Sequence, residues 1–184
     1  MDQDKIKTAV RMLLEAIGED PDREGLKETP RRIAELFEDL YGGLARDPAG
    51  VLKIYPTGAE HEIILAKKIV FYSVCEHHLL PFLGVANVAY VPSEGRVAGL
   101  SQLVKVVEIL AHRPQIQERL TNQIADVLER TLQPKGVLVV LEAEHLCMTL
   151  RGVRKPGSRI VTTASRGMLR DGAPRAEVFS QIQD

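Results

Sequence analysis

The chain has 184 residues, 27% of them charged, and a formal net charge of -1 at pH 7. This length allows one domain with a substantial core and is too short for two ordinary domains. The near-zero charge excludes an overall attraction to nucleic acid or to an anionic membrane, so an anionic ligand requires a local basic cluster. The amino terminus MDQDKIKTAV is charged, and no apolar run is long enough to span a membrane, so we expect a cytoplasmic protein.

Two amphipathic helices are predicted at the start of the chain. Apolar residues recur at helical spacing from Ile6 to Ile17, and a glycine and a proline then end the pattern. Thr29 directly precedes Pro30, which is the usual order of an N-cap and a first-turn proline. The second helix is expected to end at Gly42. Together these helices form a predicted N-terminal helical region at residues 1–50.

Strands and helices follow in pairs over the rest of the chain. Their patterns predict strands at 62–75 and 82–91, helices from 99 and from 114, strands at 136–152 and 159–164, and a last helix. Such an order favours an α+β fold with an antiparallel sheet, because an alternating parallel sheet needs a helix between successive strands. We therefore expect residues 51–184 to form a single compact unit.

Cysteine and histidine occur together in two short segments. Cys75 and His78 have the spacing of a zinc-ligand pair, and thiolate with imidazole suits zinc. Cys147 lies on a different predicted strand, on the same face as His145 because strand side chains alternate. Cys75, His78 and Cys147 with one open position would resemble a catalytic zinc site. His77 and His145 would then remain for proton transfer near neutral pH.

Other interpretations of these residues stay open. A cysteine in an apolar run is often a small core residue, and His145 is compatible with an ordinary strand histidine. Cys75 and Cys147 are also compatible with a disulfide, which a reducing compartment disfavours. The occurrence of two such segments in a chain with only two cysteines and five histidines favours the metal site.

A basic pocket is predicted without any phosphate-binding glycine loop, since neither of the common nucleotide motifs occurs. Ser101 begins a predicted helix, where free backbone N–H groups favour anions, and Lys105 follows one turn later. Arg151 is predicted to lie on the strand face of Cys147, and Arg32 lies just inside the second helix. Taken singly, each of these charges is more commonly an ordinary surface residue, and the predicted placement of Arg151 on the metal face is what favours a role in the site.

Gln117 and Glu118 open the helix that follows Pro114. A carboxylate and an amide at that position suit the recognition of a base edge, because a carboxylate accepts from the N–H groups of guanine. A glutamate in a first helical turn also complements the helix dipole without any ligand. Both interpretations remain open from the residues alone.

Five segments together resemble the GTP cyclohydrolase I family: 18-GEDPDREGLKETPRRIA-34, 75-CEHHLLPF-82, 99-GLSQLVKVV-107, 111-AHRPQIQERLT-121 and 145-HLCMTLRGV-153. The resemblance implies that the chain converts GTP and water to dihydroneopterin triphosphate and formate. It implies the tunnelling fold, in which an antiparallel four-stranded sheet is backed by two helices, with an N-terminal helical extension. It also implies a homodecamer of two stacked pentamers.

The same resemblance assigns site residues. It implies zinc ligands at Cys75, His78 and Cys147, and catalytic histidines at His77 and His145. It implies that guanine is recognised by Gln117 and Glu118. It implies contacts to ribose and triphosphate at Ser101, Lys105 and Arg151. It also implies a phosphate contact at Arg32, which would come from a neighbouring subunit. Gln102 departs from the family, whose members commonly have lysine there.

Two rival functions remain at this stage. A metal-free nitrile reductase of the same fold would use Cys75 as its nucleophile and need no zinc. A non-catalytic, zinc-stabilised oligomerisation module would instead fill all four metal positions. The combination of 75-CEHH-78 with Cys147 favours a metal-dependent enzyme over both.

Overall fold

A computed structural model describes residues 1–57 and 63–183, which divide into two compact units, Met1–Gly42 and Gly43–Asp184. The smaller unit contains α1 (Gln3–Ala16) and α2 (Thr29–Tyr41), which pack against each other. Asp2 caps α1 by accepting a hydrogen bond from the Lys5 backbone N–H. Both predicted N-terminal helices are therefore confirmed.

An antiparallel sheet is the centre of the larger unit. The strands of this unit are β1 (Ile54–Pro56), β2 (Ile64–Cys75), β3 (Pro81–Val91), β4 (Arg96–Ala98), β5 (Pro114–Gln115), β6 (Gly136–His145) and β7 (Arg159–Gly167). Its helices are α3 (Leu100–Ala111), α4 (Gln117–Leu132), α5 (Leu146–Thr149) and α6 (Gly172–Gln183). The four long strands lie in the order β2-β3-β6-β7 and are all antiparallel, while β5 adds two residues parallel to β2. The predicted α+β fold with a four-stranded antiparallel sheet is confirmed.

Helices cover both faces of this sheet. Apolar residues of α3 and α4, among them Leu103, Leu120 and Ile124, join the inward residues of the long strands in the main core. On the other face, Val178 of α6 packs with Leu138 and Val140 of β6 in a smaller core. None of the helices within the described residues is long and apolar enough to cross a bilayer.

The predicted strand at 136–152 is wrong in its second half. The strand ends at His145, and the helix α5 follows at once, with Thr149 Oγ1 donating to the His145 carbonyl. The expectation that Cys147 and Arg151 share the strand face of His145 is therefore also wrong. A short apolar run such as Leu146–Thr149 fits either a strand or a helix, so periodicity could not locate this boundary.

Two other boundaries differ. Pro114 does not begin a helix, because Pro114 and Gln115 pair with the end of β2 and α4 begins at Gln117. The first long strand, β2, begins at Ile64 in the described part of the chain, while Glu62, where the prediction placed its start, lies outside the described residues. The pairing of β5 fixes the start of α4 beside the end of β2.

Gly84→Ala is expected to lower the stability of the larger unit. A Cβ atom at Gly84 would lie 1.9 Å from the Glu142 carbonyl oxygen and 2.6 Å from Ala143 Cα, so β3 and β6 would have to separate. Overpacking of this kind typically costs about 1–3 kcal/mol, and a backbone neighbour leaves little room for relaxation. The measurement is the free energy of unfolding in urea at matched protein concentration.

The control is Gly42→Ala, where no heavy atom lies within 4 Å of the added Cβ. The backbone there is already helical, with φ -60° and ψ -18°, so alanine fits without strain. Equal stability of the Gly84 variant and the wild type would contradict the close approach of the two strands.

Candidate active site

A cavity of about 300 Å³ lies where β2 and β6 end and α4 begins. Six of its lining residues are ones that the sequence singled out: Cys75, His77, Gln117, Glu118, His145 and Cys147. Sequence reasoning missed the apolar lining residues Ile116, Met148 and Ile160, since apolar side chains carry no functional signal of their own. The size and mixed lining are those of a small-molecule site.

The two cysteine thiols are neighbours in the cavity wall. Cys75 is buried at the end of β2, and Cys147 is partly buried in α5. Burial raises the pKa of the Cys147 thiol, and the charge of Cys75 and a hydrogen bond with it raise that pKa further. Both thiols are free, so the alternative of a Cys75–Cys147 disulfide is not formed in this structure.

A tight turn follows Cys75 and carries the rest of the first cluster. The Cys75 N–H donates to the Leu80 carbonyl, and the Leu79 N–H donates to the Cys75 carbonyl. Leu79 has a positive φ of 53°, which a bulky residue rarely adopts, so the surrounding hydrogen bonds hold the turn in place. The turn exposes the side chains of His77 and His78.

His78 does not join the thiols. Its Nε2 atom contacts a guanidinium nitrogen of Arg151, the residue that was predicted to bind phosphate. Within the described residues, no three His, Cys, Asp or Glu side chains are grouped closely enough to hold a metal ion. Two adjacent thiols and a nearby imidazole are the donor types that zinc prefers, so the donor set fits zinc although the three ligands are not gathered.

His145 is held in a defined orientation. Its ring stacks on Phe82 with centroids 4.6 Å apart and an interplanar angle of 2°, and its Nε2 lies 2.7 Å from Gln117 Oε1. Burial lowers the pKa of His145, which the charge of Glu118 partly opposes. The lowered pKa means that this environment disfavours the charged form of the ring.

Gln117 and Glu118, though adjacent, differ in environment. The side chain of Gln117 is 1% exposed and its amide bonds to protein groups, whereas Glu118 is exposed and borders the cavity. The Glu118 carboxylate can therefore hydrogen-bond to a ligand in the cavity, whereas the Gln117 amide is already bonded within the protein.

An ion pair joins the turn after β2 to the first turn of α4. Arg119 Nη1 and Nη2 donate to the two carboxylate oxygens of Glu76 at 2.5 and 3.1 Å. The hydrogen bond with Arg119 lowers the pKa of the Glu76 carboxyl. Sequence reasoning found no role for Glu76 and missed Arg119, because the two residues are far apart in the chain.

The remaining predicted contacts lie outside the cavity lining. Ser101 is an exposed residue in the first turn of α3, and Lys105 is exposed one turn later. Arg151 follows α5, and Arg32 is an exposed residue of α2 in the smaller unit. Ser101, Lys105 and Arg151 do not line the cavity, although Arg151 is close enough for its charge to lower the pKa of the Cys147 thiol, against the larger opposing effect of burial.

A family model described as GTP cyclohydrolase I matches residues 6–183. The chain belongs to the GTP cyclohydrolase I family. A relative from Thermoanaerobacter pseudethanolicus, named GTP cyclohydrolase 1, is 58% identical over 99% of this chain and 97% of its own length. Relatives of the same name from Clostridioides difficile and Streptococcus mutans are 55% and 52% identical, over 99% and 98% of this chain and 97% and 95% of their own lengths.

This member of the GTP cyclohydrolase I family also has a weaker likeness to a solved structure. The apo form of the archaeosine synthase QueF-Like superposes with a TM-score of 0.45 at 17% identity, over 59% of this chain and 97% of that chain. A likeness of this size carries no argument about function.

Cys75→Ala is expected to speed the alkylation of Cys147. Cys75 helps to raise the pKa of the Cys147 thiol, so its removal lowers that pKa and increases the thiolate fraction at a given pH. The measurement is the rate of Cys147 alkylation against pH in chelator-treated protein, followed by mass spectrometry. Ser73→Ala, at a buried position on the same strand, is the control. An unchanged rate in the Cys75 variant would show that the two thiols do not interact.

Proposed function

We propose that this chain is a zinc-dependent GTP cyclohydrolase I. It hydrolyses the guanine imidazole ring of GTP at C8, giving 7,8-dihydroneopterin triphosphate and formate, the first step of tetrahydrofolate and pterin biosynthesis. The observation that carries the proposal is that two thiols, two histidines and an exposed carboxylate border one cavity, in a chain that matches the family over residues 6–183. We propose that the reaction takes place in the cytoplasm.

Zinc would be held by Cys75, Cys147 and His78, with His78 giving up its contact with Arg151. When bound, zinc supplies a nucleophile from water near neutral pH. The adjacency of the two thiols supports this assignment, because a nearby cation offsets the effects of burial and of the neighbouring thiolate, both of which raise the pKa of Cys147.

Glu118 is proposed to orient the substrate. Its exposed carboxylate accepts hydrogen bonds from the N–H groups of guanine and so fixes C8 relative to the thiols. Ser101, Lys105, Arg151 and Arg32 are proposed to contact ribose and triphosphate, with Arg32 provided by a neighbouring subunit. Their positions outside the cavity lining suit a phosphate chain that extends away from the base.

His77 and His145 move the protons. Hydrolysis at C8 requires a proton on the neighbouring ring nitrogen, and later steps require proton transfers during ribose opening and ring closure. Positioned acid or base groups typically contribute about a hundred- to ten-thousand-fold to such steps. Both imidazoles border the cavity, which supports this role.

A homo-oligomer, a decamer of two pentamers, is proposed for the assembly. The support within the structure is a group of exposed apolar side chains on β2 and β3, where Val70, Tyr72 and Leu83 are 75%, 47% and 50% exposed. Contiguous exposed apolar surface marks interaction sites. Sedimentation of the purified protein tests this proposal, and a monomer at working concentration would contradict it.

Cys147→Ala is expected to lose both zinc and GTP turnover. Loss of a residue that hydrogen-bonds to a metal ligand typically costs about 10–100-fold in metal affinity or activity. Loss of a direct ligand is therefore expected to cost more. The measurements are metal content, released formate and the fluorescence of the oxidised pterin product. Wild-type protein stripped by a chelator and then reloaded with zinc is the control and should regain activity. Full turnover by metal-free Cys147→Ala protein would exclude the zinc role.

Glu118→Ala is expected to weaken the selection of GTP over ITP, which lacks the 2-amino group. A hydrogen bond to a charged group contributes about 1.5–3 kcal/mol, so the ratio of the two kcat/KM values is expected to fall about tenfold to a hundredfold. Glu108→Ala, at an exposed glutamate of α3, is the matched control. An unchanged ratio in the Glu118 variant would assign guanine recognition to another group.

A further inference from the structure

We propose that Gln117 is a positioning residue that keeps a proton on Nε2 of His145, so that His145 exchanges protons with the substrate only through Nδ1. This inference deepens the proposed function and rests on it for the catalytic consequence alone. The arrangement of the two side chains is independent of the substrate.

The amide of Gln117 is buried and surrounded by acceptors. Its Nε2 lies 3.2 Å from the Leu141 carbonyl oxygen, 3.0 Å from the Ile160 carbonyl oxygen and 3.0 Å from Thr162 Oγ1. These groups belong to β6 and β7, on which the first turn of α4 lies. Gln117 therefore reaches from a helix start into the backbone of two neighbouring strands.

Hydrogen-bond chemistry fixes which end of the amide faces which partner. Backbone carbonyls only accept, so the end of the amide that faces Leu141 and Ile160 must be the donating NH₂ group. The reverse orientation would place three carbonyl oxygens together in a buried site, which is costly. Oε1 consequently faces Nε2 of His145, at 2.7 Å.

The orientation of Gln117 in turn fixes the proton on His145. Oε1 can only accept, so Nε2 of the imidazole must be the donor and carry a hydrogen. Turning the ring would put a carbon atom against Oε1 and leave a buried carbonyl without its partner. The stack on Phe82 holds the plane of the ring in the orientation that the hydrogen bond requires.

A second layer of hydroxyl groups supports the amide. Thr162 Oγ1 lies 2.6 Å from Thr121 Oγ1, and Thr121 donates to the backbone carbonyl of Gln117 at 2.7 Å. These contacts fix both the main chain and the side chain of Gln117. The proton on Nε2 of His145 is therefore held by a connected set of hydrogen bonds rather than by a single contact.

The functional consequence is that the neighbouring residues Gln117 and Glu118 have different roles. With its amide committed to the protein, Gln117 does not read the base, and guanine recognition by a side chain of this pair falls to Glu118. His145 is left with one ring nitrogen, Nδ1, that can gain and lose a proton. Any proton that His145 accepts or returns during turnover passes through that atom.

Solid-state NMR of protein with ¹³C,¹⁵N-labelled histidine tests the arrangement directly. The chain has five histidines, so His145 is identified as the signal that disappears in His145→Gln. At about pH 8, above the ordinary histidine pKa of about 6.5, the wild type is expected to show a protonated Nε2 and an unprotonated Nδ1. A protonated Nδ1 with a bare Nε2 would overturn the proposal.

One substitution at Gln117 tests its part. Gln117→Met keeps the length but offers no acceptor, so His145 is expected to show a mixture of both tautomers. Gln115→Met is the matched control, because Gln115 is also 1% exposed but bonds to Leu110 and Gln123. A wild-type pattern in Gln117→Met would overturn the role of Gln117; should that variant not fold, the wild-type spectrum still decides where the proton lies.

Kinetics distinguish positioning from base recognition. Because Gln117→Met acts on proton transfer, we expect kcat to fall about tenfold to a hundredfold, within the range that acid or base groups contribute, with KM for GTP little changed. A raised KM with kcat retained would identify Gln117 as a guanine contact and overturn the proposal. Absence of GTP turnover in the wild type would instead refute the proposed function and leave the NMR result intact.

Discussion

The candidate site depends on the antiparallel pairing that β3 makes with both of its neighbours. β2 and β6 each pair antiparallel with β3 and therefore run in the same direction. Their last residues, Cys75 and His145, consequently lie at one edge of the sheet although they are far apart in the sequence. Phe82 lies between these strands, paired with Ser73 on one side and with His145 on the other, and its ring supports the imidazole.

Burial divides the cavity into a fixed side and an exposed side. Cys75 and Gln117 are almost completely buried, and His145 is held by a hydrogen bond and a ring stack. His77 and Glu118 border the same cavity but are exposed. Fixed groups suit steps that need one geometry, such as proton transfer, because misplacement by about 1 Å is costly in rate. Exposed groups remain accessible to an incoming base.

Several residues illustrate why periodicity alone could not complete the site. The apolar pattern continues past His145, but the chain leaves the sheet there, and α5 brings Cys147 to Cys75 by a route that strand alternation does not predict. His78 has the spacing of a ligand, yet its ring contacts Arg151. Gln117 has the position of a base-recognition residue in the sequence pattern, yet its amide is saturated by the strands beneath it.

The sequence by itself determined the α+β class, the two N-terminal helices, the four long strands and the residue types of the site. Those properties follow from local patterns: helical and strand periodicity, turn residues, and the spacing of cysteine and histidine. Only the tertiary structure decided which side chains meet, which are buried and which way a buried amide points. The physical reason is that hydrogen-bond satisfaction is settled by groups on other strands and helices, and their positions are absent from any local pattern.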